Sequence, residues 1–183
     1  MKLTLISFYM VLSIGLMAQE REQKVNQVDS LSQKHGLWVN DVSSYTVDSM
    51  YYRHGKLHGP FKSFFKNGNL RYKGEYAEGQ RVGVWQTYDK EILVAEEVSR
   101  GINTETVRHE LGYELTPKFF SYVKLYHHKT GQLKREGKVL YEDSWESDAS
   151  RKHDQWIYFQ PEGDTASIKF FEYGRLKREI KKH

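Results

Sequence analysis

Cysteine is absent from this chain. That excludes disulfides, thiolate metal sites and a lipid anchor on an N-terminal cysteine. A strong charge of one sign is lacking too: the net is +4 over 183 residues, too small an excess to imply a nucleic-acid partner. No apolar run reaches the ~20 residues that a membrane-spanning helix needs, so membrane contact is expected to be peripheral at most. G-x-S-x-G, H-E-x-x-H and a cysteine nucleophile are all missing. No glycine is followed by a helix start, which removes the phosphate-cradling loop. The acidic pairs Glu96-Glu97, Glu142-Asp143 and Glu146-Asp148 sit in polar runs, whereas a glycosidase needs two carboxylates across a cleft. These absences predict a protein that is not an enzyme, with no catalytic residue, no metal-ligand set and no cofactor.

Aromatic residues are plentiful, at 14%, with thirteen Tyr, nine Phe and four Trp. Tyr and Trp can bury a ring and keep a polar tip wet, which suits a thin sheet better than a thick core. Residues 1–19 read as a secretory signal peptide: Lys2 precedes an apolar stretch from Leu3 to Met17, and Ala18 offers a small residue at the cut. The expectation is an exported protein, periplasmic or secreted. Cleavage would leave a net charge of about +3, because Lys2 is lost. Residues 20–33 read as a polar linker, or as an N-terminal segment draped on the first repeat.

From residue 34 the chain repeats. Turn signals at Gly55, Asn67-Gly68, Gly79, Asp89-Lys90 and Arg100-Gly101 succeed one another at steps of about 11 to 13 residues, the spacing of hairpin after hairpin. Aligned units place Gly36, Gly59 and Gly83 in one column. Trp38, Phe61 and Trp85 fall in a second column two residues later, joined further on by Trp156 with Asp154 in the glycine position. Side chains alternate in polarity. In KLHGPFKSFFKNGNLRYKGEYAEG, Phe61, Ser63 and Phe65 share one face, and after the turn Leu70, Tyr72, Gly74 and Tyr76 share one. Asn67-Gly68 between two such runs predicts a hairpin with a type I′ turn. Residues 34–101 thus hold three repeats. Residues 102–118 break the period as an insertion, in which Asn103-Thr104-Glu105 could cap a short helix. Residues 119–174 hold degenerate repeats, and 175–183 form a basic tail.

The unit GPFKSFFKNGNLRYKGEYAEG, with GVWQTYDKE after it, resembles the bacterial variant of the MORN repeat, a family often labelled antitoxin-like. The resemblance covers residues 34–101 well and 119–174 loosely, with Gly131-Gln132-Leu133 and Trp156 to Gly163 as partial copies. It implies an all-β fold: an elongated antiparallel sheet of stacked β-hairpin repeats, each contacting its neighbours. It also implies a binding or scaffolding role.

Four aromatics are the candidate binding residues: Tyr72, Tyr76, Trp85 and Tyr88 as the lining of a concave face. The repeated glycines have a backbone explanation, and the aromatic column is most simply the stacking core. Histidines offer no chelate by spacing. His127 and His128 point to opposite faces of a strand, and His54 and His58 lie four apart without a helix to align them. The tail RLKREIKKH solubilises the last hairpin or touches anionic polymer. The function expected is a non-catalytic protein-interaction or scaffolding module in the bacterial envelope, its partner another envelope protein. The alternatives are a glycan or peptidoglycan ligand, or an antitoxin or immunity role.

Overall fold

The computed structural model describes residues 24–98, 100–142 and 150–182, all of them β-strand, turn or irregular chain, with no helix. The expected signal peptide at 1–19 lies outside these residues, as do residues 143–149 with Asp143, Glu146 and Asp148. The chain runs through β1 (Gln27–Val28), β2 (Lys34–Asp41), β3 (Thr46–Arg53), β4 (Lys56–Phe65), β5 (Leu70–Ala77), β6 (Gln80–Asp89) and β7 (Ile92–Val98). It continues through β8 (Gly101–Ile102), β9 (Val107–Arg108), β10 (Glu114–Leu115), β11 (Phe119–Tyr126) and β12 (Leu133–Tyr141). It ends with β13 (Ser150–Phe159), β14 (Thr165–Glu172) and β15 (Arg175–Lys181). Strands β1 to β7 and β11 to β15 lie side by side in chain order in one antiparallel sheet, and β8 adds to β11. This is the all-β sheet of successive hairpins that the turn spacing predicts.

Turn chemistry explains the hairpins. The connections β3–β4, β5–β6, β6–β7 and β14–β15 each hold two residues at positive φ: His54-Gly55, Glu78-Gly79, Lys90-Glu91 and Tyr173-Gly174. Type I′ turns require this, and their twist matches that of the strands. The Asn67-Gly68 hairpin forms where the sequence places it, but by a different turn. Only Gly68 has positive φ. The Gly68 amide donates to Phe65 O and the Phe65 amide to Asn69 O, which makes a three-residue loop with glycine at its bulge position. Residues 160–164 repeat that loop, with Gly163 in the place of Gly68.

Three positions of the glycine column, Gly59, Gly83 and Asp154, are bulges. Gly36, Gly59, Gly83 and Asp154 all sit inside strands at positive φ, two residues before the column aromatics Trp38, Phe61, Trp85 and Trp156. Register slips at Met50/Tyr52, Lys73/Glu75 and Gly137/Lys138, where β4, β6 and β13 carry the extra residues. A bulge of this kind bends the strand and increases its twist. Opposite the two later aromatics the neighbouring strand has glycine: a methyl placed on Gly74 would fall 2.3 Å from Trp85 Cδ2, and one on Gly137 2.5 Å from Trp156 Cδ2. The indoles lie flat on bare backbone there.

Register pairs Met50 with Phe61, Ser63 with Tyr72, Tyr72 with Thr87, Ser121 with Val139 and Gly137 with Trp156, which puts these residues on one face. On it, Met50, Phe61 and Trp85 form one buried cluster, and Val139, Tyr141 and Trp156 another. The other face is covered over β12–β14 by the insertion, which is ordered: β9 and β10 pair as a small hairpin. Val107 packs with Leu140, fully buried, and with Tyr173. Glu105 fastens the insertion, its two oxygens accepting from His153 Nε2 at 2.9 Å and Lys138 Nζ at 3.1 Å. The helix expected to be capped at Asn103 does not form. The Asn103 side-chain amide donates to Glu105 O and Pro117 O, and so closes the loop on itself.

Two of the segments outside the repeats take part in the sheet. Within the segment expected as a linker or as a stretch draped on the first repeat, residues 27–28 form β1 on β2, where Asn26 and Gln27 bond to Leu37, Val39 and Trp38. Of the residues expected as a basic tail, 175–181 are the edge strand β15.

Candidate functional site

Residues of the aromatic face from β3 to β13 line one groove of about 950 Å³, so the sheet is curled about that face. The floor is aromatic. Phe61 and Tyr72 stack at 5.5 Å, and Tyr76 meets Trp85 edge-on at 5.0 Å. Burial, and after it the charge of Asp48, pushes the Tyr72 hydroxyl above its usual range, so it stays a neutral donor.

Three of the four predicted site residues, Tyr72, Tyr76 and Trp85, come together in this groove. Tyr88 does not join them. Side chains alternate along β6, so Tyr88, three residues after Trp85 and next to the groove residue Thr87, points to the opposite face, where its hydroxyl donates to Gln86 Oε1 and Lys73 lies over its ring.

Basic side chains roof the floor, and sequence reasoning passed over them. Arg81 lies 3.9 Å from the centroid of Trp85, Lys152 4.8 Å from that of Trp156, and Lys34 4.5 Å from that of Trp38. Each cation stands four residues before its tryptophan. The positive-φ residue between them, Gly36, Gly83 or Asp154, turns the strand so that the cation reaches over the ring, an attraction between positive charge and π-face. That spacing was readable in the sequence once the glycine column was known to take positive φ.

The acids near the groove are already engaged. Glu97 Oε1 accepts from Ser121 Oγ at 2.9 Å, Tyr141 Oη at 2.8 Å and Arg100 Nε at 3.2 Å. Asp48 accepts from Ser63 Oγ at 2.6 Å. Glu96 accepts from Gln86 and Tyr126, and the Tyr126 bond is the first cause holding its carboxyl below the usual range. Arg71, Arg81, Arg135 and Lys152 line the same groove, and none is in a salt bridge with a carboxylate of the described residues. Arg135 Nε and the Trp85 indole N–H are buried without a hydrogen-bond partner there.

The arrangement can attract an anion and hold it by forked N–H groups. Ser63 and Ser121 are buried beneath it, and each donates to a carboxylate.

The histidine pairs read from the sequence separate. His128 Nδ1 meets Asp89 at 3.2 Å and His58 meets Glu78 at 3.5 Å. His54 instead joins Asp29 and His35, a grouping that spans 25 residues of sequence and carries no spacing signal.

No family model matches this chain, and no curated protein matches it.

Proposed function

We propose that this chain is a non-catalytic recognition module of the bacterial envelope, a member of the MORN-like repeat class. Its concave face receives an extended acidic segment of another envelope protein. The observation that carries the reading is the set of groove cations, Arg71, Arg81, Arg135 and Lys152, which have no carboxylate partner among the described residues while the neighbouring acids Glu97 and Asp48 are engaged. Aromatic rings beneath them exclude water, which strengthens each charge-assisted bond to a bound carboxylate. A groove crossing eight strands suits an extended chain better than a compact ligand. Sugar stacking fits less well: Trp85 is covered by Arg81 on one side and by the Gly74 backbone on the other, and Trp156 by Lys152 and Gly137.

The test is a pull-down from envelope extract with the wild-type chain and with the Arg81→Met/Arg135→Met variant, then anisotropy with the recovered acidic segment as a labelled peptide. The double variant is expected to lose at least about tenfold in affinity, in line with two charge-assisted contacts. Binding should also weaken as salt is raised. Equal binding by both proteins, or retention on cell-wall glycan instead, would remove this reading.

A further inference from the structure

Asp29, His35 and His54 come from three separate segments: the β1–β2 loop, strand β2 and the β3–β4 turn. Each offers one ligand atom, and those atoms lie within 4.8 Å of one another. His54 Nδ1 stands 3.2 Å from Asp29 Oδ2. Two ligands on a tetrahedral ion, each ~2.0–2.1 Å from the metal, are about 3.3 Å apart, so this edge already has the length a metal needs. The two imidazole centroids are 5.9 Å apart and tilted by 47°.

The carboxylate is positioned by its other oxygen. Asp29 Oδ1 accepts the amides of Leu31 at 2.9 Å and Gln33 at 3.0 Å. That leaves Oδ2 to face the histidines, the kind of second contact that orients metal ligands. The Gln33 amide is also the first cause holding the Asp29 carboxyl below its usual range, which keeps it ionised. His54 is held at the turn by a positive φ of 48°, and both histidines are exposed.

From this geometry we infer a divalent transition-metal site made by Asp29, His35 and His54, with zinc as the fitting ion and a water in the open fourth position. Two imidazoles and one carboxylate suit zinc rather than calcium or magnesium, which take all-oxygen sets. The ion takes the place of the proton shared between His54 and Asp29. It clamps the first strand and its loop onto the β3–β4 turn. The other histidine–carboxylate group, Glu105, His153 and Asp154, already has the Lys138 ammonium between its two acids, at 3.1 and 3.3 Å.

The experiment is calorimetric titration of the tag-free chain with zinc chloride alone. The wild type should take up one ion per chain at this site. His35→Gln and His54→Gln should each weaken binding at least tenfold, and the pair together should abolish it. These side chains are exposed, so the variants keep the metal-free melting temperature, which checks folding directly. His127→Gln/His128→Gln should bind zinc as the wild type does, and so should Arg81→Met/Arg135→Met, which separates this site from the groove. No uptake by the wild type, or undiminished uptake by the His35→Gln/His54→Gln variant, would overturn the inference.

Discussion

Glycine at two kinds of position explains most of the aromatic packing. In the column at 36, 59 and 83 it takes positive φ, and at 59 and 83 it makes a bulge. At 74 and 137 its φ is ordinary, and the missing side chain matters instead, because an indole occupies that space. The sequence displayed both sets, but only the first by its period. The second became meaningful once register paired Gly137 with Trp156. A single methyl separates the two roles. Gly137→Ala would place Cβ 2.5 Å from Trp156 Cδ2, in a site where the ring is 1% exposed and cannot retreat. Overpacking of this kind costs about 1–3 kcal/mol. The same change in a Trp156→Leu background should cost well under half as much, because the flat ring that collides with Cβ is gone. Urea denaturation of the four proteins measures this coupling. Additive losses would mean that the glycine serves the backbone alone.

At the scale of strands and loops, legibility tracked length. The hairpin from β4 to β5 could be read because two alternating runs of eight or more residues flank Asn67-Gly68. Its turn type could not, since one positive φ or two fit the same dipeptide. The turn at Lys90-Glu91 carries no glycine at all. The insertion was opaque because β8, β9 and β10 have two residues each, too few to show a period. Its order rests on burial of Val107 against Leu140 and on Glu105 reaching His153, contacts with no local signature. The join between β7 and β11 obeys the same rule. It is stitched across the strands by Glu97, which accepts from Ser121 and Tyr141. Burial first, and then the charge of Glu97, drives the Tyr141 hydroxyl well above its ordinary value of 10. A raised pKa in the folded state favours the protonated form there. The stability it contributes is therefore complete below pH 10 and is lost as pH climbs from 10 toward the folded value. Tyr141 is only 4% exposed, so the linkage slope approaches the one-proton limit of about 1.4 kcal/mol per pH unit. Tyr141→Phe should be less stable at pH 8 by about 1 kcal/mol for the lost hydrogen bond. It should also show a shallower fall between pH 10 and 11.5. Parallel wild-type and variant curves would place the alkaline transition elsewhere.

Across the whole molecule, an open sheet has two edges, and each is a template for another copy. At one end β1 is brief, two residues on Lys34 and His35 of β2, and Asn26 beside it takes up Leu37 O and the Val39 amide. The other end is β15, seven residues long and exposed throughout, which brevity does not protect. Charge does so instead. Arg175, Lys177, Arg178 and Lys181 project from it, against one acid, Glu179, which pairs with Lys169 at 3.3 Å. A second copy docking on this edge would bring two rows of cations together, and like charges directly opposite destabilise a strand pair. The residues expected to solubilise the last hairpin thus have a specific place from which to act. Replacing all four cations with Thr keeps the strand's propensity and removes the repulsion. The altered chain should retain its β-sheet circular dichroism while light scattering reports dimers and larger species that grow with concentration. Removing Lys24, Lys62, Lys129 and Lys134, four exposed cations away from the edge, lowers net charge equally and should leave the protein at its original size. If both variants associate alike, net charge rather than the position of these cations keeps the edge from pairing.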